Sequence, residues 1–88
     1  MRFLLDNERA WVGASQFYVA LDKLGISPTL YALPIPYIFS ADELQYYLDS
    51  LENELRGKPR NDYYSYVKER CVKLSEWASR GVIVHVVS

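Results

Sequence analysis

The chain reads as a small α+β domain in which a sheet of two to three strands packs against three helices. Three observations carry that expectation. Apolar residues recur at helical spacing in three separate stretches. Glycine follows each of those stretches, at Gly25, Gly57 and Gly81. A run that is β-branched except for His85, Val82 to Val87, closes the sequence. The expected strands are Arg2–Leu5, Thr29–Leu33 and Val82–Val87, and helices two and three form an antiparallel hairpin.

Arg2 to Leu5 reads as a short first strand. Helix one ends at Gly25, with Phe17, Ala20, Leu21 and Leu24 at i, i+3, i+4 and i+7. Two starts compete for it. In one, Asp6 caps a single long helix from about Asn7, with Ala10, Gly13 and Ala14 as a closely packing small-residue face. In the other, Ala10 to Val12 is a strand paired back on the first, and Ser15 is the cap. Gly13 costs a helix about 1 kcal/mol, whereas Trp11 and Val12 suit a strand.

Pro28, Pro34 and Pro36 break the next segment, so only Thr29 to Leu33 is left for a strand, at a sheet edge. Leu33 to Tyr37 should be extended, near polyproline geometry. Helix two has the best-specified start. Ser40 and Glu43 make a capping box, and Phe39 with Leu44 makes a hydrophobic staple. Its stripe is Leu44, Tyr47, Leu48, Leu51 and Leu55, and Gly57 and Pro59 stop it. Asn61 or Asp62 caps helix three, whose stripe is Tyr63, Val67, Cys71, Leu74 and Ala78. The continuous run after Gly81 suits a central strand covered on both faces.

The 88 residues make one domain with one core. Composition is 50% apolar and 24% charged, an ordinary globular balance. The net charge of −1 gives no global basicity to argue for nucleic acid. Cys71 is the sole cysteine, so an intramolecular disulfide is excluded. The first residues meet Asp6 before any signal-like apolar stretch, and Val82–Val87 is too short to span a bilayer, so the expected location is cytoplasmic and not membrane-bound.

Charge is divided between helices two and three. Ser40 to Leu55 holds Asp42, Glu43, Asp49, Glu52 and Glu54 and no base. Arg56 to Arg80 holds seven cations against Asp62, Glu69 and Glu76. Opposite charge favours the hairpin pairing, but surface ion pairs add only about 0–1 kcal/mol each, so the apolar stripes must carry the packing.

Few residues point to catalysis, and no enzyme activity is expected. His85 lies inside a β-branched run with no acid near it in sequence, which fits a strand histidine better than a proton shuttle. Cys71 falls on the helix-three stripe, where a structural thiol is usual. Ser15, Ser27 and Ser40 read as caps or turns. The four glycines are too scattered for a phosphate loop. The acids of helix two share a solvated face with no turn to wrap a metal, so no metal and no cofactor are expected.

Two surfaces are more suggestive. Tyr66, Arg70, Lys73 and Trp77 fall on one strip of helix three, with Arg56, Lys58 and Arg60 in the loop at its start. Such a strip can stack bases and contact phosphates, or anchor a protein, where Tyr, Trp and Arg are the frequent hot spots. In the plainer alternative Trp77 closes the core edge, and Arg70 and Lys73 lay their stems over it. Tyr46 projects opposite the apolar stripe of helix two, flanked by Asp42, Asp49 and Asn53; an incidental exposed tyrosine is the commoner case, and an anchor for a basic partner surface is the alternative. The segment Ile35 to Phe39 is too apolar for an ordinary surface loop.

No segment is specific enough to carry a family identity. The expectation is a non-enzymatic protein-binding module, an inhibitor or accessory factor that acts by docking on a macromolecule. Small motif-free chains of this class include the inhibitors that phages and mobile elements direct at host systems. The alternative is a nucleic-acid binder using the basic and aromatic strip of helix three. Self-association through exposed aromatics is a further outcome. The exposure of Tyr46, Tyr66 and Trp77 separates these readings.

Overall fold

The computed structural model describes residues 2–5, 8–12, 14–26 and 36–87. The expected strand Thr29–Leu33, the Asp6 cap and the turn at Ser27 lie outside the described residues. The elements in chain order are β1 (Arg2–Leu5), β2 (Glu8–Val12), α1 (Ala14–Lys23), β3 (Tyr37–Phe39), α2 (Ala41–Leu55), α3 (Asp62–Ser79) and β4 (Val84–Val87). They form a small α+β domain with a four-stranded sheet of order β2-β1-β4-β3. Every neighbouring pair is antiparallel.

The two starts considered for helix one resolve in favour of the strand. Glu8–Val12 pairs back on β1, and the register slips between Phe3 and Leu4, so that Phe3 faces Trp11 while Leu4 faces Arg9. The helix begins at Ala14, which puts Ser15 inside its first turn and not at its cap. α1 ends as expected. Gly25 sits at φ 71°, its N–H donates to the Asp22 carbonyl at 2.9 Å, and the Ile26 N–H donates to the Leu21 carbonyl at 3.0 Å. This is a Schellman motif, whose left-handed residue favours glycine. α3 ends the same way, with Gly81 bonded to Ala78 and Val82 to Trp77.

The cap of α2 is half of the expected box. The Ser40 hydroxyl accepts from the Glu43 N–H at 3.2 Å, but the Glu43 carboxylate accepts the Tyr37 hydroxyl at 2.8 Å. Pairing between β3 and β4 brings Tyr37 to Glu43, so tertiary structure redirects the side chain that a local rule assigned to Ser40. Phe39 and Leu44, the expected staple, are both buried. On α3 the Asn61 side chain, not Asp62, makes the cap, accepting from the Tyr64 N–H at 3.0 Å.

α2 and α3 pack together, and α1 packs against α3. The core gathers Phe17 and Leu21 of α1, Leu44, Leu48 and Leu51 of α2, and Val67 and Leu74 of α3 over Phe39, Val84 and Val86 of the sheet. Inside it the Tyr18 hydroxyl is pushed up to about 12, chiefly by burial, with Tyr47 beside it acting in the opposite direction.

Two sequence expectations need correction. β4 is central, but its burial alternates: Val84 and Val86 are buried, while His85 between them is half-buried opposite the exposed Ile38. The β-branched run is here an alternating strand over residues 84–86. The regular strand also starts at Val84, because Val82 is held in the α3 cap. On α3 the buried stripe is Val67, Leu74, Trp77 and Ala78, with Tyr63 exposed and Cys71 half-buried. The helix is turned toward Trp77 because it must satisfy α1 as well as α2. The apolar segment 36–39 is β3, which buries Phe39 and exposes Ile38.

Candidate partner-binding surface

α2 sorts its residues cleanly. Leu44, Tyr47, Leu48, Leu51 and Leu55 are buried, which turns Asp42, Gln45, Tyr46, Asp49 and Asn53 to solvent. Tyr46 is 76% exposed, the highest value for a large hydrophobic among the described residues. Its setting is ordered by its own helix. The Gln45 side-chain amide donates to Asp49 at 2.9 Å, and the Ser50 hydroxyl donates to the Tyr46 carbonyl at 3.1 Å. The face is thus an exposed ring between carboxylates one turn away on either side.

The basic strip of α3 is arranged differently from the stacking platform that its spacing allowed. Trp77 is only 4% exposed, so its expected role as a docking ring is corrected. The Lys73 ammonium lies 5.7 Å from the Trp77 ring centre, and the Arg70 guanidinium lies 5.2 Å from that of the half-buried Tyr66. Both cations cover rings of their own helix, but only Lys73 lies over Trp77 as the plainer reading had it; Arg70 lies over Tyr66 instead. The reason is geometric: with α1 and α2 on adjacent sides of α3, the strip forms the core edge.

The loop cations also divide. The Lys58 ammonium donates to the Gly25 carbonyl at 3.3 Å, which ties the end of α1 to the hairpin loop. Arg56 and Arg60 are exposed. Arg60 and Lys68 both lie over the Tyr64 ring, at 5.6 and 5.9 Å. Tyr64 and Lys68 were not singled out from sequence, although they stand at the four-residue spacing that aligns side chains on a helix.

These residues line a groove between α2 and α3 of about 410 Å³, together with Asp49, Glu52 and Cys71. Burial, and then the charge of Glu52, push the Cys71 thiol up to about 12, so it stays protonated at neutral pH. A second, apolar groove of about 490 Å³ lies between α1 and α3, where Val19 and Tyr63 are exposed. Among the described residues no cluster of His, Cys, Asp and Glu is placed to hold a metal ion, and no helix is long and apolar enough to cross a membrane.

No family model matches the chain, and neither curated proteins nor solved structures provide a match.

Proposed function

We propose that this chain is a non-enzymatic protein-binding module that docks the outward face of α2 on a basic partner surface. The observation that carries the reading is the 76% exposure of Tyr46 between Asp42 and Asp49. A large exposed aromatic with a polar tip buries much area at little rotamer cost, and tyrosine is a frequent hot spot. The flanking carboxylates steer a cationic partner and set the register in which Tyr46 lands. The module acts by occupying the partner's surface, as an inhibitor or accessory factor does.

The nucleic-acid alternative loses its stacking ring at Trp77 and has Arg70, Lys73 and Lys58 engaged within the fold. The test is affinity capture with wild type and Tyr46→Ala in parallel, followed by titration of the captured protein. Tyr46→Ala should weaken binding by at least 1–2 kcal/mol, as hot-spot truncations do. Asp49→Lys should slow association and reduce its salt dependence. Binding that is indifferent to both changes would overturn the reading.

A further inference from the structure

The groove between α2 and α3 has a charge pattern that shares only Asp49 with the Tyr46 face. α2 contributes Asp49 and Glu52, while the loop and α3 contribute Arg56, Arg60 and Lys68. Tyr64 organises the cations, with Arg60 at 5.6 Å and Lys68 at 5.9 Å from its ring centre. A cation already resting on a ring gives up less side-chain freedom when an anion arrives. Leu48, Leu55 and Val72 supply apolar surface in the same groove, and Val72 is 63% exposed. An occupant that complements these walls must carry negative charge and apolar side chains together.

We infer that this groove binds an acidic peptide segment of a partner protein, holding its carboxylates at Arg56, Arg60 and Lys68 and its apolar side chains over Leu48, Leu55 and Val72. Guanidinium groups suit carboxylates because they offer paired donors in one plane, and partial enclosure strengthens each charge-assisted bond. A nucleic-acid backbone fits less well. Its phosphates meet Asp49 and Glu52 in the same groove, and Arg60 and Lys68 lie over the Tyr64 ring where a base would stack. The segment spaces its charges as the groove does, with carboxylates toward the loop end and none against Asp49.

The test uses the full chain and a short fluorescein-labelled peptide with glutamates in one half and leucines in the other, followed by anisotropy at low salt. The controls are the glutamine counterpart of that peptide and a labelled single-stranded oligonucleotide. Wild type should bind the acidic peptide about tenfold or more tightly than either control. Arg60→Gln and, separately, Arg56→Gln should each reduce that affinity about tenfold. Glu52→Gln should raise it. Tyr46→Ala should leave it unchanged, which separates failure here from failure of the α2 face. Preference for the oligonucleotide, equal binding of the glutamine peptide, or affinity unaffected by both arginine changes overturns the inference. Far-UV circular dichroism of each exposed-site variant confirms that a lost signal is not a lost fold.

Discussion

Trp77 and Tyr46 show how little residue type alone says about role. Both are large aromatics on amphipathic helices, yet one is 4% and the other 76% exposed. Trp77 is in the core cluster beneath Lys73, while Tyr46 meets solvent on a helix whose apolar side is already complete. The consequences for stability are opposite. Trp77→Ala leaves a cavity at the core edge and should cost about 3–5 kcal/mol. Tyr46→Ala should change stability by no more than about 0.5 kcal/mol, as surface substitutions do. Urea denaturation of the two variants against wild type measures both. The same contrast makes Tyr46→Ala a clean probe of binding, since its loss of function would not be a loss of fold.

At the scale of elements, each helix is specified by its ends and then aimed by its neighbours. α2 has an Ser40 cap, acids in its first turn and a leucine stripe, all readable in sequence. Ser40→Ala should lower stability by about 1 kcal/mol, measured as a shift in the thermal midpoint. Because the Glu43 carboxylate is bonded to Tyr37, Glu43→Gln should leave the Ser40 contribution intact and perturb the β3–α2 junction instead. α3 was legible as a helix but not in its rotation. Val67 and Leu74 fit contact with one partner helix; with α1 packed on α3 as well, the buried side extends to Trp77, while Tyr63 in the first turn stays exposed. That rotation also decides the candidate site. It removes the Trp77 end of the expected strip and leaves Arg60, Tyr64 and Lys68 at the groove, a set whose regular spacing was present in the sequence but carried no sign of which wall it would face.

For the whole molecule, the chain's two ends meet in the middle of the sheet, with β1 paired to β4 from Arg2 opposite Val87 to Leu5 opposite Val84. Sheet closure therefore waits on the most distant pairing in sequence, which slows folding relative to a purely local helical hairpin. Stability of the assembled fold also has an alkaline limit. Cys71 ordinarily titrates at 9.0 and Tyr18 at 10.0, and burial moves both to about 12 in the folded chain. Below about pH 9 both groups are protonated in folded and unfolded chains alike. Above it the unfolded chain releases protons that the folded chain retains, so stability falls as pH rises toward 12. Cys71→Ala should move the onset of that fall from near 9 to near 10, read from urea midpoints across the alkaline range.

Sequence alone determined the elements whose signals are local: three helices, the Ser40 cap, the glycine stops at Gly25 and Gly81, and the exposed acidic side of α2. Those follow from spacing of 3.6 residues, from orphan backbone groups at helix ends and from positive φ, all of which act within a few residues. Only tertiary structure decided that residues 8–12 pair with β1, that β3 forms beside β4, that Glu43 bonds Tyr37, and which rings of α3 are buried. The β3–β4 pairing and the burial of the α3 rings depend on partners far along the chain, and a periodic pattern records that a face is apolar without recording what will cover it.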